Sequence, residues 1–204
     1  MVRKIAIKKN PFFMRGQIYT INNLDLIIFN WFILSKDYAI IAGGCFWCTE
    51  AVFENVDGVV TVYPGYIGGK NKNPSYEEVC SGNTGHAEAV KIEFELSKIS
   101  YKKILDIFFK THDPTTLNRQ GNDIGTQYRS AIFYSDEKKF EIATKKINEL
   151  QDDYVGKIVT LLEKETTFYI AEEYHHKYFS KNPFNAYCFS VIKPKVDKFK
   201  SSQK

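Results

Sequence analysis

Hydrophobic positions fall in short runs along this chain, and their period changes from one run to the next. Residues 38–42 (Tyr-Ala-Ile-Ile-Ala) are continuously apolar and are followed by Gly43-Gly44, the pattern of a buried strand entering a tight turn. Residues 46–54 then show helical spacing, with Phe46, Ala51 and Phe53 among polar partners. β-Branched residues over 56–66 predict a second strand that turns at Pro64-Gly65. After a Gly- and Asn-rich loop at 68–74, Ser75 is placed to cap a short helix over 76–80, which Ser81-Gly82 stops. Residues 86–95 alternate cleanly. Glu88, Val90, Ile92 and Phe94 share one face, and Ala87, Ala89, Lys91, Glu93 and Glu95 share the other.

In the second half, Ser100 predicts a capped helix to about residue 110, and 113–128 reads as a long polar loop of the kind that carries function in a compact domain. A strand over 129–134, an amphipathic helix over 136–151, a strand over 157–162 and a short helix over 171–179 follow. Pro183 and Pro194 break periodicity beyond residue 180, predicting an irregular tail. Strands and helices alternate, but with connections too mixed for a doubly wound sheet. The expected fold is an α+β two-layer sandwich.

The chain of 204 residues is one domain, or one domain plus an extension. Residues 1–37 read as an N-terminal extension, expected to be poorly ordered, and 38–204 as the catalytic domain. Residues 24–34 are apolar but interrupted by Asp25 and Asn30, too short and polar to span a bilayer. A targeting segment is the second reading of this stretch. With 28 Lys+Arg against 24 Asp+Glu the formal charge is +4, and the excess lies at the two ends. No internal basic stripe speaks for nucleic acid. Four unevenly spaced cysteines do not make a secreted disulfide framework, which points to a reducing, cytoplasmic setting.

Two residues stand out chemically. Cys45 follows the glycine turn at a predicted helix N-terminus, where unpaired N–H groups and the helix dipole favour a thiolate nucleophile. Phe46 and Trp47 beside it offer an apolar pocket. Glu88 is a carboxyl on an otherwise apolar strand face. Burial there raises its pKa and suits it to act as a general acid. His86, two residues earlier, is placed to share that face. The spacings of histidines and cysteines match no zinc template, and no Gly-rich dinucleotide fingerprint follows a strand, so no bound metal, nicotinamide or flavin is expected.

The stretch Gly43-Gly44-Cys45-Phe46-Trp47-Cys48-Thr49-Glu50 resembles the active-site signature of the A-type peptide methionine sulfoxide reductases. The segment from Asn73-Pro74-Ser75-Tyr76 to Gly85-His86-Ala87-Glu88, and that from Asp113-Pro114-Thr115-Thr116 through Gly121-Asn122-Asp123-Ile124-Gly125-Thr126-Gln127-Tyr128, are similar to two further family signatures. The resemblance runs from about residue 39 to about residue 199. It implies a ferredoxin-like core with a long irregular C-terminal tail. It also implies thiol-dependent reduction of methionine S-sulfoxide, free or in proteins, in a monomer without bound cofactor. Cys45 would attack the sulfoxide sulfur while Glu88 protonates its oxygen, with Tyr76 and Tyr128 as hydroxyl donors and Asp123 in the surrounding network. Phe46 and Trp47 would receive the S-methyl group.

A sulfenic acid left on Cys45 needs a second thiol, and thioredoxin or another dithiol to recycle it. Cys188, in the tail, and Cys48, three residues on, are both candidates. Strain in the Cys-x-x-Cys turn favours Cys188, and Cys80 reads as a buried structural thiol. Two other classes compete. A thioredoxin-like oxidoreductase built on Cys45 and Cys48 leaves Glu88 and residues 121–128 without a role. A docking module with basic ends explains only the charge.

Overall fold

The computed structural model describes residues 35–203, together with the backbone of 9–14 and 17–22. The latter form an antiparallel hairpin, β1 (Lys9–Met14) with β2 (Gln17–Asn22). Most of the expected N-terminal extension, including the apolar stretch 24–34, lies outside the described residues.

A six-stranded sheet organises the rest. In chain order its parts are β3 (Lys36–Gly43), helix α1 (Phe46–Phe53), β4 (Val59–Ile67) and the short helix α2 (Tyr76–Cys80). There follow β5 (Ala87–Glu95), α3 (Tyr101–Thr111), a small ribbon of β6 (Arg119–Gln120) and β7 (Asp123–Ile124), and β8 (Ser130–Tyr134). The sheet order is β10-β4-β5-β3-β8-β9, with β9 at Leu161–Lys164 and β10 at Tyr169–Ile170. The elements β3-α1-β4-β5-α3-β8, with β4-β5-β3-β8 as neighbours and every pairing antiparallel, make the expected ferredoxin-like core. Helix α4 (Glu137–Leu150) then carries the chain from β8 to β9, the one parallel pair.

β3 lies at the centre of the sheet and is apolar on both faces because both are covered. Ala39 and Ile41 join the main core with Phe46, Phe53, Val90, Ile92, Phe94, Phe108 and Phe109. Ile40 and Ala42 join a smaller cluster with Ala87, Ala89, Ala131 and Phe133 on the opposite face, where Tyr38 and Phe168 pack over them. The alternation over 86–95 is thus realised, with Glu88, Val90, Ile92 and Phe94 all buried on the helix side. The helix caps are realised as well. Ser75 closes a reciprocal capping box with Glu78, Ser100 accepts from the Lys103 N–H and Asp136 from that of Lys139.

Four segments differ from expectation. Pro64-Gly65 is not a turn, since β4 runs through it. Pro64 is tolerated because only the two-residue β10 flanks β4 there, and its carbonyl accepts from Ala171. The strand expected over 157–162 lies later, at Leu161–Lys164, and in place of a helix over 171–179 there are a 3₁₀ turn (Glu173–His175) and helix α5 (Tyr178–Lys181). The tail is irregular only to about residue 185. Beyond it a π-helical turn (Cys188–Ile192) leads into α6 (Lys193–Ser202). Pro194 does not stop this helix because it sits in the first turn, just after the widened turn, where a missing N–H costs little. Cys188, Ile192, Val196 and Phe199 anchor the tail in the main core. No helix among the described residues is long and apolar enough to cross a membrane.

Gly44 makes the turn between β3 and α1. Its φ is +91, and a Cβ there would come 2.6 Å from the Cβ of Gln120. Gly44→Ala therefore combines a left-handed backbone with a clash, and should lower unfolding free energy by about 1–3 kcal/mol. Denaturant unfolding checks this, and an unchanged midpoint would contradict it.

Candidate active site

Cys45 occupies the N-cap position of α1, with φ −54 and ψ 124, just outside the helix. The residue is 8% exposed. The next backbone N–H, that of Phe46, donates to Glu88 Oε2 at 3.0 Å. Glu88 reaches this point from β5 and is 1% exposed. Its Oε1 has no protein partner among the described residues. Burial pushes the Glu88 carboxyl up to about 8, against the opposing pull of the Phe46 N–H, with the charges of Asp123 and Cys48 adding to the rise. The carboxyl is therefore protonated near neutral pH, as a proton donor must be.

The second thiol is equally close. Cys48 is the third helical residue, and the Cys45 thiol hydrogen-bonds to its sulfur. That bond, helped by the charge of Lys195 and the Tyr187 hydroxyl, lowers Cys48 to about 7 despite its burial. Burial, the Cys48 contact and the Glu88 charge push Cys45 well above the ordinary thiol range. Of the two thiols Cys48 is therefore the one that ionises first, near pH 7, while Cys45 keeps its proton. This corrects the expectation of a resting Cys45 thiolate: burial, the Cys48 contact and the Glu88 charge outweigh the Trp47 N–H, which bonds to the Cys45 thiol and pulls the other way.

The other expected residues converge on the same place. Tyr76 starts α2, and its hydroxyl bonds to the Cys80 thiol. Tyr128 ends the long polar loop and feels the charges of Glu88, Cys80 and Cys45. Both phenols are raised, chiefly by burial, so both keep their proton to donate. Asp123 Oδ2 accepts from the Tyr187 hydroxyl at 2.7 Å, and that hydroxyl lies 3.7 Å from Cys48 Sγ. Phe46 is wholly buried, its ring tilted against Tyr66 and His175 and stacked 6.4 Å from Tyr76. Trp47 is half-buried and stacks on Tyr178 at 3.8 Å. Phe46 therefore backs the apolar surface, and Trp47 supplies its accessible part.

A cavity of about 240 Å³ opens beside the thiols, between Asp123, Tyr187, Gln120 and Lys195. Glu88, the two expected tyrosines, Phe46 and Trp47 lie outside its lining.

Some expectations are revised. His86 does not join the site. It precedes β5, accepts from the Gly69 N–H and donates to the Asn71 carbonyl, pinning the 69–71 loop. Cys80 is half-buried rather than buried. Cys188 is not in an irregular stretch. It is wholly buried in the π-helical turn, and burial pushes its thiol up. Cys45 lies at the N-cap, outside the helix, and its carbonyl accepts from the Cys48 N–H at 3.1 Å. All four cysteines are free. Among the described residues, no group of three or more His, Cys, Asp or Glu side chains is placed to hold a metal.

A supporting ring of residues went unnoticed in the sequence. Tyr66 on β4 faces Glu88 directly across the strand pair, and its hydroxyl donates to Glu172 Oε2 at 2.8 Å. The other oxygen of Glu172 accepts from the Tyr76 N–H at 3.0 Å. His175 accepts from Trp47 Nε1 at 3.0 Å. Glu50, buried on α1, accepts from the Lys177 and Tyr178 N–H groups and ties this later segment to the catalytic helix. Strand register reveals Tyr66, and the return of the chain reveals Glu172 and His175.

A family model described as peptide methionine sulfoxide reductase matches residues 37–204. A relative from Rhodopirellula baltica, peptide methionine sulfoxide reductase MsrA 1, is 56% identical over 164 residues, covering 80% of this chain and 85% of the relative. The crystal structure of Mxr1 from Saccharomyces cerevisiae in reduced form superposes with a TM-score of 0.71 at 38% identity, over 75% of this chain and 89% of that one. Mxr1 in complex with Trx2 matches with a TM-score of 0.51 at 28% identity, over 68% and 82%. With a family model spanning its whole described sheet and a relative this similar along most of its length, the chain belongs to the peptide methionine sulfoxide reductase family, A type.

Proposed function

We propose that this enzyme reduces methionine S-sulfoxide, free or in proteins, through a sulfenic acid on Cys45. The observation that carries the mechanism is the buried Glu88 carboxyl held by the N–H of Phe46, the residue after Cys45. A sulfoxide becomes attackable at sulfur only as its oxygen gains a proton. Glu88 gives that proton, and the Tyr76 and Tyr128 hydroxyls bond to the same oxygen, in the manner of an oxyanion hole. Trp47 receives the S-methyl group.

Cys45 Sγ attacks the sulfur as its own proton passes to the Cys48 thiolate. The S–O bond breaks, hydroxide transfers to Cys45, and methionine leaves. The products are methionine, a Cys45 sulfenic acid, a Cys48 thiol and an ionised Glu88, so charge and protons balance. Cys48 then displaces the hydroxyl as water and forms the Cys45–Cys48 disulfide. Its contact with Cys45 supports Cys48 over the buried Cys188 as first resolver. A dithiol, thioredoxin in this reading, reduces that disulfide by two electrons. Support for thioredoxin comes from the relative crystallised with Trx2. The free thiols fit a reducing compartment, the cytoplasm, and we assign a monomer comprising residues 38–204 as the catalytic unit.

Cys45→Ser should abolish turnover, because serine cannot form the sulfenate. In wild-type enzyme given one equivalent of sulfoxide and then alkylated, mass spectrometry should find Cys45 joined to Cys48 and Cys188 alkylated after unfolding. A Cys45–Cys188 link with free Cys48 would overturn the resolver assignment.

Glu88 also makes stability depend on pH. Between about 4.5 and about 8 the unfolded carboxyl ionises while the folded one keeps its proton, so its contribution is lost as pH rises through that window. Glu88→Gln, neutral throughout, should raise the melting temperature relative to wild type increasingly from pH 4.5 to pH 8. A pH-independent difference would show that the folded carboxyl is not held protonated.

A further inference from the structure

Helices α3 and α6 enclose a cleft of about 650 Å³ that the mechanism does not use. Its walls carry Lys103 and Lys110 from α3 and Lys195 and Lys198 from α6. No carboxylate lies within 4.0 Å of any of the four amino groups among the described residues, although Lys193 next to them pairs with Asp197. The two other ionisable groups in the lining leave this excess intact. Asp113 is a single negative charge already bonded to Thr115. Burial lowers His112 to about 4, so it is neutral. Four positive charges thus face one negative charge across a concave groove.

The groove leads to the thiols. Lys195 and Gln120 line both it and the cavity that contains Cys45 and Cys48. Lys103 and Lys110 are seven residues apart, about 10 Å along one helix face, which matches about three residues of extended chain. A groove of this form admits a peptide strand more readily than the convex surface of a folded protein.

We propose that this basic cleft is a substrate subsite that binds acidic side chains within about three residues of the methionine sulfoxide, so that the enzyme prefers sulfoxides in acidic peptide segments. The proposal rests on the reading of Cys45 as the sulfoxide-reducing thiol. Each exposed lysine–carboxylate pair contributes about a factor of two, and three together give roughly tenfold. Screening by salt should erase most of that.

The test uses three heptapeptides with a central methionine sulfoxide: Asp/Glu at the three preceding positions, Asp/Glu at the three following positions, or Asn/Gln at all six. Dithiothreitol is the reductant, so no protein partner is involved. In wild type, one acidic peptide should exceed the neutral one in kcat/KM by about tenfold at low ionic strength. The ratio should fall to within about twofold in high salt and in the Lys103→Gln, Lys110→Gln, Lys198→Gln triple variant. Equal rates for all three peptides in wild type would overturn the proposal, as would an acidic preference that survives in the triple variant. An unchanged peptide ratio with a raised KM for thioredoxin would assign the cleft to the reductant and overturn it too. Failure to turn over even the neutral peptide would instead count against the sulfoxide-reductase reading itself.

Discussion

One hydrogen bond joins the parts on which the chemistry depends. The Phe46 N–H belongs to the first turn of α1, and Glu88 belongs to the middle of the sheet; the 3.0 Å contact between them fixes the nucleophile's helix to the acid's strand. It engages one of the two carboxyl oxygens. Gly43 and Gly44 let β3 end close enough to α3 and Gln120 for this geometry, since a Cβ at Gly43 would meet the Phe108 ring at 2.8 Å. The supporting residues follow from the same contact. Tyr66 covers Glu88 from the neighbouring strand, and Glu172 binds Tyr66 and the start of α2 together.

The negative charge in the site is consequently displaced from the expected atom. Burial makes it costly on Cys45, and a second anion beside Glu88 would be costlier still. Cys48 has the Cys45 thiol, Lys195 and Tyr187 around it, and carries the charge at lower cost. In this account Cys48 has two successive tasks, first as the acceptor of the Cys45 proton and then as the resolving thiol. The C-terminal segment contributes Tyr187 and Lys195 to that environment.

Local signals were legible in the sequence, and long-range ones were not. The alternation of residues 86–95 placed Glu88 on the buried face, and Ser75 and Ser100 marked helix starts that the structure contains. Three motifs, matched to a known family, brought Cys45, Tyr76, Glu88, Asp123 and Tyr128 to one site. Tyr66 escaped because the register that sets it opposite Glu88 belongs to a strand pair, not to either strand alone. Glu172 and His175 lie in an irregular return whose position is fixed by Glu50 more than 120 residues earlier, as its bond to Lys177 shows with a separation of 127. Prolines misled twice. Pro64 lies within a strand beside a two-residue neighbour, and Pro194 lies in a first helical turn, and in both places the missing N–H has no partner to lose.

The central claim is that a neutral Glu88 faces a thiol pair bearing a single negative charge. The most direct measurement is the single-turnover rate of sulfoxide reduction as a function of pH. A narrow bell is predicted, rising through about 7 as Cys48 ionises and falling above about 8 as Glu88 loses its proton. Glu88→Gln should lose the falling limb and be slower by roughly two to four orders of magnitude. A wild-type rate that keeps climbing through pH 9, or a Glu88→Gln rate within a few-fold of wild type, would contradict the account.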